Sequence, residues 1–124
     1  MDIYFVTVAR TDEIKIIKEL KPKNLLLSYF YFKKREKIER LLDFIEYKPN
    51  ILMDSGAYSA MSQGKDISLI TYMNFLKNNS DLFDQYIQLD VLNKPFITRK
   101  YLEIMRDEGL KPIPVYHYGS DERY

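Results

Sequence analysis

The sequence has no cysteine and no tryptophan, only one histidine (His117) and only four glycines. Without cysteine there is no disulfide and no thiolate metal site within the chain, which fits a reducing compartment. A lone histidine rules out the HxH and HExxH patterns, and no HxD spacing is present, so a metal held by Asp54, Asp90 and His117 has no motif behind it. An excess of charge is also missing. The 19 basic and 18 acidic residues leave a net charge of +1. No overall field therefore draws in nucleic acid or an acidic membrane, although there is room for a local basic patch. No apolar run approaches the roughly 20 residues needed to span a bilayer. The start, Met1-Asp2-Ile3-Tyr4, lacks the basic region and long apolar core of a signal peptide. The expectation is a soluble, cytoplasmic protein with no membrane partner. No linker or composition shift divides the chain, which implies one α/β domain over residues 1–124, long enough to bury a core.

Tyrosine, by contrast, is abundant, with 11 in the chain. Tyrosines can stack on bases, but the commoner use is to cover a core edge with the hydroxyl outward, and that is the reading preferred here.

Along the chain, Ile3 to Val8 is β-branched and aromatic, hence a strand. Thr11 can cap a helix that carries Ile14, Ile17 and Leu20 on one face and stops at Pro22. Leu25 to Phe30 reads as a strand apolar on both faces, as in a sheet covered on both sides. Lys33 to Glu46 follows as a helix with Ile38, Leu41, Leu42 and Ile45 in one stripe. Its basic start, Lys33-Lys34-Arg35, is interleaved with acids, Glu36 and Glu39, as on a solvated face.

Asn50 to Met53 is a third strand, and Asp54-Ser55-Gly56 is the sharp turn leaving it. Ala57 to Asp66 reads as a loop. A helix capped by Asp66 or Ser68 then turns Leu69, Ile70, Met73 and Leu76 inward. Tyr86 to Leu89 is a fourth strand with Asp90 at its exit. Thr98 starts another helix with Tyr101, Leu102 and Met105 inward, closed by Gly109. A fifth strand, Pro112 to Tyr116, leads into His117-Tyr118-Gly119. The regular alternation implies parallel strands joined by helical crossovers. Two architectures fit it: the N-terminal half of a (β/α)8 TIM-type barrel, or a small five-stranded doubly wound sheet. The last residues, Ser120 to Tyr124, look like a βα loop running toward a further helix, which favours the incomplete barrel.

Both architectures gather the strand C-termini at one rim, where Arg10 or Thr11, Ser28 to Tyr31, Asp54-Ser55, Asp90 and His117 emerge. Each has a plainer role available. Asp54 can form an Asx-turn, Asp90 can cap a loop, and a single histidine is commonly structural. Two acids and the only histidine at three strand ends nevertheless suggest a site. In such a site one carboxylate serves as general acid or base and the other accepts hydrogen bonds from N–H groups of a base.

Met53-Asp54-Ser55-Gly56-Ala57-Tyr58-Ser59 resembles the DSGG(F/Y)Q segment of tRNA-guanine transglycosylases. It is more similar still to the DSGA(F/Y)S form in their phage and bacterial relatives, linked to 7-deazaguanine insertion into DNA. Tyr86-Ile87-Gln88-Leu89-Asp90 resembles the family strand that ends in a base-recognising aspartate. Pro112 to Gly119 resembles the later strand whose exit loop lines the base pocket. The resemblance implies a (β/α)8 barrel exchanging a base on a nucleic acid through a covalent glycosyl–enzyme intermediate. Asp54 would be the catalytic acid/base, and Asp90 would bind the purine-like edge. Ser55, Gly56, His117 and Gly119 would shape the pocket. Three departures leave the base open. Ala57 replaces the second glycine, Ser59 the glutamine, and His117 stands near the family's glutamine-glycine loop.

The family's nucleophilic aspartate lies on a later strand that these residues do not match, so an N-terminal part of such an enzyme is expected. It would not be catalytically complete alone. The implied partners are tRNA or DNA and a purine-like base, with a second copy or a complementary half-barrel chain. No cofactor is implied within this chain. Two alternatives stand beside this: a non-catalytic binding or assembly module on a half barrel, and an unrelated barrel enzyme using Asp54 and His117 as acid and base.

Overall fold

A computed structural model describes residues 3–116 of the chain. It is an α/β protein with one sheet of four parallel strands alternating with helices. The strands are β1 (Phe5–Val6), β2 (Asn24–Ser28), β3 (Asn50–Asp54) and β4 (Gln85–Tyr86). The helices are α1 (Thr11–Leu20), α2 (Arg35–Ile45), α3 (Ala57–Ser62), α4 (Leu69–Asn78) and α5 (Pro95–Asp107), with a tight helical turn at Ser80–Leu82.

The strands lie side by side in chain order, β1-β2-β3-β4, all parallel. The order contains no reversal, the point at which a doubly wound sheet switches direction. Where a fifth strand was expected there is a single parallel bridge, Ile87 to Ile113. It extends the sheet in the same sense.

Consecutive parallel strands with right-handed crossovers place every crossover helix on the same face. Burial follows that rule. On β2 and β3, Leu25, Leu27, Ile51 and Met53 are buried, whereas Leu26, Ser28, Leu52 and Asp54 are only partly so. Both-sided burial of the Leu25 to Phe30 run is therefore not what forms. The run is apolar on both faces, but helices cover only one. On the open face, next to Leu26, Val6 is 63% exposed.

Against the covered face pack Ile17 of α1, Ile38, Leu41 and Ile45 of α2, and Met105 of α5. On α4 the buried stripe is Tyr72, Met73, Phe75 and Leu76, and Ile70 points to solvent. The expected inward stripe of Leu69, Ile70, Met73 and Leu76 thus differs at Ile70, and Tyr72 and Phe75 are buried in addition. Tyr72 is fully buried, its ring 5.1 Å from that of Tyr29, and its hydroxyl donates to the Ile87 carbonyl at 2.6 Å. An internal acceptor thus replaces the outward hydroxyl expected of such a residue.

Other local differences have equally local causes. Arg10, not Thr11, occupies the α1 cap position. Glu13 does the capping, its Oε1 accepting from the Arg10 N–H (3.1 Å), the Val8 N–H (3.2 Å) and the Thr7 hydroxyl (3.1 Å). Ala57–Ser62 is helical rather than a loop. Ser68 caps α4 as expected, accepting from the Thr71 N–H at 3.3 Å. α5 starts at Pro95, where a missing N–H costs nothing, so Thr98 lies inside the helix. Gly109, at φ +85°, follows the end of α5.

Candidate functional site

β3 ends in Asp54 on the open face of the sheet, with Ser28 as its lateral neighbour on β2. The turn that follows holds the carboxylate in place. Asp54 Oδ1 accepts from the Ser55 N–H at 2.9 Å, and Ser55 Oγ accepts from the Ala57 N–H at 3.3 Å. Gly56 has φ +80°, a conformation open to glycine and costly for residues with a Cβ. Ser55 is buried in this turn, and its side chain serves the backbone.

Burial is the main force on Asp54, and it pushes the carboxyl above the ordinary carboxylate range. The Ser55 and Gly56 amides oppose that shift, and the charge of Asp90 adds to it. In turn, burial raises the Tyr72 hydroxyl well above its usual value, with the charge of Asp54 contributing. Asp54 and Asp90 are thus within electrostatic reach of each other. Asp90 is held differently, its Oδ1 accepting from the Thr98 hydroxyl of α5 at 2.9 Å.

The two acids open onto neighbouring cavities. One, of about 150 Å³, lies over the open face at the ends of β1, β2 and β3 and is lined by Val8, Ser28, Tyr31, Asp54, Gly56 and Tyr58. The other, of about 420 Å³, lies beyond β4 and is lined by Lys65, Asp66, Asp90, Lys94 and Tyr101 among others. Helix α3 contributes to both. Ala57, Ala60 and Met61, at helical spacing, face the larger cavity, and Tyr58 and Ser59 face the smaller. The structure therefore brings Asp54 and Gly56 to one cavity and Asp90 to the next, with Ser55 in the turn between.

His117 and Gly119 lie outside the described residues. Among the described residues, no group of three or more acidic or histidine side chains is gathered to hold a metal ion. No helix among them is long and apolar enough to cross a membrane.

Several residues take roles at the site that the sequence pattern does not indicate. Thr98 holds Asp90 from eight residues away, and Tyr58 is an exposed ring beside Asp54. Gln88 enters the sequence reading only as part of the Tyr86 to Asp90 segment. It is buried, its Nε2 donating to the Thr98 carbonyl at 2.9 Å and its Oε1 accepting from the Val115 N–H at 2.8 Å. It ties α5 and the segment after Pro112 to the stretch beyond β4 that carries Asp90.

Comparison with protein-family models, with curated proteins and with solved structures finds no match to this chain.

Proposed function

We propose that this domain is the N-terminal part of a transglycosylase-like enzyme that exchanges a guanine- or 7-deazaguanine-type base on tRNA or DNA. One observation carries the reading. Asp54 is a partly buried carboxyl at the C-terminal end of a parallel strand, beside a cavity, with its proton affinity raised. A carboxyl that keeps its proton to higher pH than usual can hand it to a departing base and recover it from the incoming one.

Asp90, fixed by Thr98, supplies an acceptor for the N–H groups of a guanine-type edge. The larger cavity, about 420 Å³, has room for a nucleobase. The consecutive parallel order and the open sheet face support continuation as a (β/α)8 barrel, in which that face would turn inward. Later strands, a second copy or a complementary chain would then supply the nucleophile that forms the glycosyl intermediate.

The test is base binding followed by amide and side-chain NMR shifts. Guanine and 7-deazaguanine should perturb residues around Asp54 and Asp90, and adenine should not. Asp90→Asn should weaken guanine binding by about tenfold or more, the effect of losing one charged hydrogen bond. Equal binding of guanine and adenine, or an Asp90→Asn variant that binds guanine unchanged, would sink the reading.

A further inference from the structure

The geometry points to a phosphate-binding patch formed by Lys33 and Lys65 around the ring of Phe30. This rests on the base-binding reading above and adds where the anionic part of the ligand lies.

Lys33 Nζ sits 5.1 Å from the centroid of the Phe30 ring and Lys65 Nζ 6.0 Å from it. The two lysines come from different segments, one after β2 and one after α3. Both are exposed, and among the described residues neither forms an ion pair. Other lysines, Lys34 and Lys48 among them, also lack an ion pair among the described residues, so what sets Lys33 and Lys65 apart is the ring they share. Two unpaired like charges held near one ring form a local focus of positive potential in a chain of net charge +1.

The position of this focus gives it meaning. Phe30 packs against Gly56, and Tyr31, whose ring meets that of Phe30 edge-on at 5.0 Å, lines the Asp54 cavity. Lys65 lines the Asp90 cavity, next to Asp66. The patch therefore stands beside α3, between the two cavities. Asp54, Asp66 and Asp90 repel an anion, so a ligand carrying both N–H donors and a negative group is oriented by the site. Its donors face the acids and its anion faces Lys33 and Lys65. A purine-type base bearing a phosphate ester has that chemistry. Exposed Tyr58 offers a face for stacking on the way in.

The experiment compares guanosine, guanosine 5′-monophosphate, a guanosine-containing single-stranded oligonucleotide and inorganic phosphate, titrated into the wild type and the Lys33→Gln/Lys65→Gln variant. The wild type should bind the monophosphate roughly tenfold tighter than guanosine, as expected for a charge-assisted contact, and the double variant should bind the two alike. An oligonucleotide that gains more than the monophosphate, with a salt slope that falls by about 0.7 per lysine removed, assigns the phosphate to a chain backbone. Equal gains assign it to a terminal ester. A phosphate preference that survives in the double variant, or that is missing from the wild type, overturns the patch. If guanosine does not bind but inorganic phosphate binds the wild type and not the variant, the patch stands and the base-exchange reading falls.

Discussion

Gly56 lies directly against Ser28: a Cβ on residue 56 would run into the Ser28 hydroxyl and the Cβ of Phe30. That close approach is what lets the β3 turn fold down beside β2 and places Asp54 at the cavity rim. The Ser28 Oγ is buried there with no hydrogen-bond partner among the described residues. Gly56→Ala adds a methyl group where there is no space and imposes a positive φ on a residue with a Cβ. We expect a loss on the order of 3 kcal/mol from overpacking and backbone strain together, measured by urea unfolding. Combining it with Ser28→Ala should recover part of the loss, because the Phe30 contact persists. If single and double variants lose the same amount, the Ser28 contact is not the cause.

Asp54 makes stability depend on pH in an unusual direction for a carboxylate. Its proton affinity is raised on folding, chiefly by burial. Between its ordinary value of 3.8 and the raised one, the native state holds more proton than the unfolded state. Stability therefore falls as pH rises through that window, and the loss is complete above it. Asp54→Asn removes the ionisation, so the variant should be more stable than the wild type at pH 7 and lose that advantage at pH 3. Paired thermal melts at the two pH values decide it. A variant less stable at pH 7 would show that the charge is welcome.

Glu13 has the opposite sign. Burial disfavours its charge, but the Arg10 and Val8 amides, the Thr7 hydroxyl and the Arg10 charge together outweigh burial and lower its pKa. This contribution is present above the ordinary value of 4.5 and fades as pH falls through the lowered one. Glu13→Ala should cost about 1–2 kcal/mol at pH 7, the scale of a lost helix cap, with most of the difference gone at acid pH. A cost independent of pH would assign the effect to packing instead.

Periodicity made the alternation of strands and helices legible, because one-sided stripes such as Ile38, Leu41 and Ile45 are dictated by which face must be buried. It also marked Asp54 as a strand-end acid, whereas Asp90, expected at the exit of a Tyr86 to Leu89 strand, lies beyond β4, which ends at Tyr86. It does not separate them into two cavities, since that depends on α3, Ala57–Ser62, within a stretch, Ala57 to Asp66, whose pattern reads as a loop. Nor did it expose the open sheet face. Leu26 and Leu52 are as apolar as their covered neighbours, and only strand order says which side the helices take. Thr98 has two physically reasonable uses, cap and hydrogen-bond donor, and only the helix start at Pro95 decides between them.

Gln88 shows how the larger cavity is kept in shape. Its amide spans three partners: the Thr98 carbonyl at 2.9 Å, the Leu89 carbonyl at 3.3 Å and the Val115 N–H at 2.8 Å. Among the described residues, the segment after Pro112 has one bridge to the sheet, at Ile113, so this side chain makes a connection that a strand ladder would otherwise make. Gln88→Leu keeps much of the volume and removes every one of these bonds. We expect a loss of about 2–3 kcal/mol, the cost of stranding buried polar groups. Amide exchange at Val115 should accelerate far more than at Met53, which lies in the β2–β3 ladder. Because Thr98 also holds Asp90, the Asp90 signals should shift in the same variant. Uniform acceleration at Val115 and Met53 would mean that Gln88 supports the whole domain rather than this corner of it.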